Sequence, residues 1–189
     1  MAAQALADAQ KKARREGRTI LFIDETGLSQ RPTRVRTWAP KGCTPVLRYS
    51  FNWKQLTVIA ALGARNFYFR LVQGPIQKRQ IVEFLKTLQR QIGGRLLIIW
   101  DGLPQHRSRV VADYLDSTNG KIVMEYLPGY APELNPSEYI WAYMKQHELA
   151  NFCRDTISEV QAFAARRLKS MQRRCGLIAS FWKQSSLKI

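Results

Sequence analysis

Residues 20–27 read ILFIDETG, a short apolar run that ends on Asp24. Four large apolar residues in succession leave no polar face, so the run reads as a strand buried on both sides. Further along, RLLIIWD (95–101) repeats the pattern and again stops on an aspartate, Asp101. In an open α/β sheet ligands collect beyond the carboxyl ends of the strands, so the two aspartates share one cleft if their strands are adjacent and parallel. Carboxylates within about 4 Å repel one another unless a cation sits between them. Mg²⁺, which takes hard oxygen ligands, is the natural choice. The plainer alternative is that each aspartate caps the turn that follows it.

Working outward, AAQALADAQKKARREG (2–17) favours helix, and Gly17 closes it as a C′ residue does. Residues 27–45, with Pro32, Pro40, Gly42 and Pro45, read as loop. Residues 55–62 and 66–72 read as a β-hairpin around Gly63-Ala64-Arg65. Ile81, Phe84, Leu85 and Leu88 fall at helical spacing within 77–91. A helix over 107–117, a strand over 121–127, a helix from near Pro136, and helices over 157–173 and 176–183 complete the chain. With no internal repeat and no linker, the elements fit one mixed α/β layered domain.

The chain has 189 residues, and 30 Lys+Arg against 14 Asp+Glu give a net charge of +16. Apolar runs such as Leu96 to Trp100 are far too short to cross a bilayer, so no membrane partner is expected. Three scattered cysteines and the lack of a leader argue against a secreted disulfide scaffold. Two histidines and no CxxC pair leave a structural zinc site without ligands. A cytoplasmic protein is expected. Residues 26–82 contain ten Lys/Arg and no acid, and the chain after Glu159 is likewise free of acids. Such fields neutralise phosphates, which points to DNA or another nucleic acid as partner; a solvated basic surface or a ribosome-like binder is the bland alternative. Arg34, Arg36 and Trp38 stand in RPTRVRTWAPKG (31–42), where the arginines would meet phosphate and Trp38 would either stack on a base or wedge into the domain surface.

A third acid lies in LPGYAPELNPSEYIWAYMK (127–145). Pro136 fits the first helical position and Asn135 the N-cap, which makes Glu138 the third residue of a helix. Glu138 then either closes a capping box or points into a cleft as a metal ligand, and spacing leaves both open. Trp141 and Met144 read as core. Lys145, two turns past Glu138 on the same face, is placed to reach a phosphate. Glu25, next to Asp24 on a strand, faces the other way and is expected to pair with an arginine. A loop contact is expected of Glu133.

FIDETG (22–27), IIWDGLPQH (98–106) and LPGYAPELNPSEYIWAYMK resemble the three catalytic blocks of DDE transposases of the mariner superfamily, in the bacterial insertion-sequence branch. The resemblance spans roughly residues 18–150 and rests most on the third block. It implies a ribonuclease H-like α/β fold, a mixed sheet with flanking helices, in which residues 19–189 form the DDE catalytic domain behind an N-terminal helix, 1–18, that is a remnant or connector. It assigns catalysis and metal binding to Asp24, Asp101 and Glu138, with two Mg²⁺ ions and Mn²⁺ as a substitute. The implied activity is DNA cleavage and strand transfer at insertion-sequence ends, on inverted-repeat ends and target DNA, by a homodimer associated with the bacterial nucleoid. His106 matches a histidine common in the second block, where it would contact the DNA backbone or order the cleft; a surface histidine is the dull reading. One departure stands out, since the stretch before Asp24 has no room for a helix-turn-helix. Such a region is therefore expected upstream or on a separate chain, with this chain a fragment or a frameshift product. A decayed or domesticated DNA-bridging protein and a structure-selective ribonuclease H-like nuclease are the alternatives.

Overall fold

A computed structural model describes residues 2–49, 54–128 and 134–185. Helix α1 (Ala2–Arg15) leads into strand β1 (Arg18–Ser29), and Gly17 turns the chain between them at φ 63°. Strands β2 (Gln55–Leu62) and β3 (Phe67–Gln73) form the expected hairpin, closed by Gly63 N–H on Asn66 O at 2.8 Å. Helix α2 (Lys78–Ile92), strand β4 (Arg95–Trp100), helix α3 (Arg109–Ser117) and strand β5 (Ile122–Tyr126) follow. Helices α4 (Ser137–Tyr143), α5 (Ile157–Gln172) and α6 (Cys175–Gln184) end the described chain.

The five strands make one mixed sheet in the order β3-β2-β1-β4-β5. β2 runs antiparallel to both neighbours, while β1, β4 and β5 are parallel. Strand alternation divides the core. Leu21, Ile23, Leu96, Ile98 and Trp100 pack against α2 and α3 on one face. Phe22, Leu28, Leu97 and Ile99 pack against α1, α4, α5 and α6 on the other. On α2 the expected apolar stripe is fully covered: Ile81, Leu85 and Leu88 are buried, and truncating one of these to Ala would cost about 2–5 kcal/mol. Among the described residues no helix is long and apolar enough to cross a membrane.

One expectation needs correction. β1 does not stop at Asp24 but runs on to Ser29, because its antiparallel ladder with β2 continues to Ser29 opposite Gln55. Only the parallel ladder ends early, at Phe22 opposite Ile99, so Asp24 sits where β4 leaves β1. Helix α4 does not end cleanly. It widens into a π-helical turn, Met144–Glu148, closed by Leu149 N–H on Met144 O at 2.8 Å. Glu148 on that turn is buried and held by Arg167 and Arg174.

The basic segment after β1 has no regular structure, as its prolines imply, but its base is stitched down. Asn151, at φ 54°, donates through Nδ2 to Val35 O and accepts Val35 N–H through Oδ1, both at 2.9 Å. The Thr33 carbonyl accepts Asn151 N–H at 2.9 Å.

Candidate active site

The β1–β4 register carries Asp24 opposite Asp101, just beyond the last paired residues. Parallel neighbours lie about 5 Å apart, so both carboxylates emerge from one lip of the sheet. Asp24 is only 8% exposed. Its Oδ1 accepts Glu25 N–H at 2.8 Å, and its Oδ2 accepts Trp141 Nε1–H at 2.9 Å and Asn135 Nδ2–H at 3.2 Å. Burial pushes its pKa up to about 7; the bonds from Glu25 and Trp141 pull it down, and the charges of Glu138 and Asp101 add to the rise.

Asp101 is handled differently. Its side chain is 39% exposed, and Oδ1 accepts Leu103 N–H at 3.2 Å and His106 Nδ1–H at 2.5 Å. Burial works to raise its pKa, but the bonds and charge of His106, helped by Leu103, outweigh it and hold the group below the usual aspartate range.

His106 itself is fully buried, stacked on Trp100 with ring centroids 3.8 Å apart. Its second nitrogen, Nε2, lies 3.2 Å from Glu25 Oε1. Burial opposes its protonation, yet the two carboxylates push its pKa up to about 9, so the ring is an imidazolium with both nitrogens donating. The expectation of a surface histidine or a DNA-backbone contact is therefore corrected, because no ring atom reaches solvent. Glu25 does face away from Asp24, but its expected arginine partner is replaced by His106, with Gln105 Nε2–H donating to Oε2 at 3.1 Å.

Glu138 lies exposed in the first turn of α4. Asn135 starts that helix by accepting Ser137 N–H at 3.1 Å, but the reciprocal bond from the Glu138 carboxylate to Asn135 N–H is not made, so the capping box is not formed. Ser137 Oγ–H ties the helix start to Phe22 O at 3.3 Å, which fixes α4 over β1. Glu133 falls outside the described residues.

Among the accessory candidates, Arg34 and Arg36 are exposed and Trp38 is 99% exposed, which rules out a Trp38 wedged into the domain. Lys145 is half-buried on the π-helical turn, lining a cavity of about 220 Å³ with Ser29, Arg31 and Leu149.

Sequence reasoning missed three connections to the acids and one neighbour of Asp101's turn. Trp141 reads as core, and it is buried, but its indole N–H is spent on Asp24. A buried tryptophan needs an acceptor for that group, and this was the available signal. Asn135 serves both the helix start and Asp24. Glu25 reaches Asp101 through His106. Arg107 packs its guanidinium over the Tyr126 ring at 4.4 Å and over the bare Cα of Gly102, where a Cβ would lie 2.7 Å from Nη2.

The donor set of Asp24, Asp101 and Glu138 is hard oxygen only, which suits Mg²⁺ or Mn²⁺. Burial is the main cause of the raised Asp24 pKa, and the smaller contribution from the charges of Glu138 and Asp101 is the part that a cation would relieve. Among the described residues, no three His, Cys, Asp or Glu side chains form a ready-made metal cage.

Residues 19–160 match the DDE superfamily endonuclease family. No curated protein matches the sequence. Several solved structures share the fold. The "Mos1 transposase paired-end complex with left transposon end" is 20% identical at a TM-score of 0.57, covering 93% of this chain and 59% of that one. The "mariner Mos1 paired end complex with Mg" is 21% identical at a TM-score of 0.59, covering 96% and 61%. The "catalytic domain of Mos1 mariner transposase" is 18% identical at a TM-score of 0.55, covering 96% and 91%. The chain thus spans about three-fifths of the longer transposase chains but nearly all of the catalytic domain. With the ribonuclease H-like sheet in place and the match running through all three acidic blocks, the chain belongs to the DDE superfamily of endonucleases.

Proposed function

We propose that this chain is the catalytic domain of a transposase, residues 19–189, which cleaves DNA at the ends of an insertion sequence and joins those ends to target DNA. The observation that carries the reading is that Asp24 and Asp101 fall opposite one another just past the end of the ladder between adjacent parallel strands. Asp24, Asp101 and Glu138 would hold two divalent ions, Mg²⁺ or Mn²⁺, which when bound stabilise the charge on the attacking and leaving oxygens of a phosphodiester. Asp101 is ionised at neutral pH and ready for a cation, whereas Asp24 must first give up a proton that its burial favours. Trp141 and Asn135 hold Asp24 in place while it does so. Arg34, Arg36, Trp38 and Lys145 would contact DNA, and the net charge of +16 supplies the sequence-independent part of that affinity. The reading extends to a homodimer on DNA within the bacterial nucleoid. The N-terminal segment that carries α1 then connects to a helix-turn-helix region that selects the inverted repeats.

The test uses duplexes carrying the inverted repeats that flank the gene, with a DNA-binding partner supplied. Nicking and joining are expected with Mg²⁺ or Mn²⁺ and not with Ca²⁺. Inactivity with every metal and partner would favour a DNA-bridging protein. The chain alone should bind duplex DNA with little sequence preference and with an affinity that falls steeply with salt; a flat salt response would contradict the assigned DNA surface.

A further inference from the structure

We propose that Glu25 is a positioning residue that sets the orientation of the Asp101 carboxylate through His106. This inference rests on the reading of Asp101 as a metal ligand. Strand alternation places Glu25 on the sheet face opposite Asp24, so it cannot join the acids gathered on that side. Its side chain is nevertheless largely buried, and both oxygens are engaged: Oε1 with His106 Nε2 at 3.2 Å and Oε2 with Gln105 Nε2 at 3.1 Å. The imidazole has no exposed surface, lies flat on Trp100, and bonds Asp101 Oδ1 at 2.5 Å. Leu103 N–H reaches that same oxygen at 3.2 Å. Oδ1 is thereby occupied twice, and Oδ2, which takes neither bond, is the oxygen turned to a cation.

The arrangement works as a two-link brace. Trp100 fixes the plane of the ring, and Glu25 fixes its rotation within that plane. Without Glu25 the ring would keep a buried N–H with no carboxylate to receive it, and the cheapest relief is a rotation that also breaks the bond to Asp101. Partners that orient a metal ligand from behind in this way are worth about 10–100-fold in metal affinity.

The experiment measures Mn²⁺ binding to the metal-free chain by titration with paramagnetic resonance detection of free Mn²⁺, in the absence of DNA, alongside thermal melting. Glu25→Ala should weaken Mn²⁺ binding about tenfold. Glu25→Gln keeps an acceptor for His106 Nε2–H and should stay within about twofold of the parent. His106→Asn retains a donor toward Asp101 but loses the link to Glu25, so it should match Glu25→Ala, and the double variant should be no worse than either single one. Equal losses in Glu25→Gln and Glu25→Ala would overturn the proposal, since a direct ligand or a simple charge effect would give that result. Unchanged binding in Glu25→Ala, or additive losses in the double variant, would overturn it too. If Glu25→Ala fails to melt cooperatively, the comparison of His106→Asn with Glu25→Gln decides: a tenfold loss against parent-like binding supports the brace, and equal affinities sink it. Asp101→Asn keeps this outcome separate from the metal reading, which fails by itself if that variant binds Mn²⁺ normally.

Discussion

Asp24 and Asp101 occupy matching places on neighbouring strands, yet the protein treats their charges in opposite ways. Asp24 is sealed under α4 among neutral donors, and its pKa is pushed up to about 7. Asp101 lies half open beside an imidazolium and is held below the usual aspartate range. The difference lies in where positive charge is supplied. On the Asp101 side the protein provides it in His106, whereas on the Asp24 side it provides only hydrogen bonds and leaves the charge to be balanced from outside. Paired acids driven apart in this way take up different duties at one pH.

The most severe way to break the pair is to neutralise its members. Asp24→Asn, Asp101→Asn and Glu138→Gln should each lower metal-dependent cleavage by about three orders of magnitude, the equivalent of several kcal/mol of lost charge stabilisation, while DNA binding persists. A variant that keeps most of its cleavage in a gel assay is not a member of the set.

A second effect, of up to about 4 kcal/mol, should separate Asp24 from Asp101 in the metal-free protein. Because the folded pKa of Asp24 lies above its unfolded value, the folded state retains a proton that the unfolded chain releases. Stability therefore falls as pH rises from about 4 through about 7. Asp24→Asn removes that penalty and should stabilise the chain at pH 8 relative to pH 4 in denaturant melts with chelator present. The corresponding change at Asp101 runs the other way, since a lowered pKa gives stability that is present above the unfolded value and lost in acid. Equal effects of Asp24→Asn at both pH values would mean that Asp24 is not charged at the cost claimed.

Smaller still is the expected effect of Trp141→Phe, which keeps an aromatic ring but removes a donor from Asp24 Oδ2. The Asp24 titration, followed by carboxyl carbon NMR, should move upward, and that of Asp101 should stay put. The smallest effect is the change in stability of Glu138→Ala, which removes any side chain able to close a capping box. With no capping box to lose, the melt should shift by no more than about 0.5 kcal/mol. A loss near 1 kcal/mol in Glu138→Ala would restore the capping reading.

The two apolar runs ending in acids were legible because burial on both faces of a strand leaves a distinctive unbroken pattern, and with them came the parallel β1–β4 pair. The end of β1 was not legible. ETGLS looks like a turn in isolation, and only the ladder to β2 keeps it extended. At the site, Asp24 and Asp101 stand out by type and position and Glu138 only through the resemblance of its block, whereas their partners do not stand out at all. Trp141 and Asn135 reach Asp24 across more than a hundred residues of chain, and Glu25 meets His106 across 81. No local pattern encodes such distant pairs.

The bare Cα of Gly102 makes the mouth of the cleft adjustable. The atom that a Cβ there would strike is the far tip of the Arg107 side chain, not backbone, so a larger residue at 102 would push a guanidinium off the Tyr126 ring and leave the sheet alone. Gly102→Ala should thus be nearly silent in folding while changing the surface beside Asp101. Positions 102 and 107 are expected to vary together among homologous chains, with a side chain at the first accompanied by a shorter or redirected one at the second. The cleft entrance can in this way be retuned by substitutions that leave the acids and the core untouched.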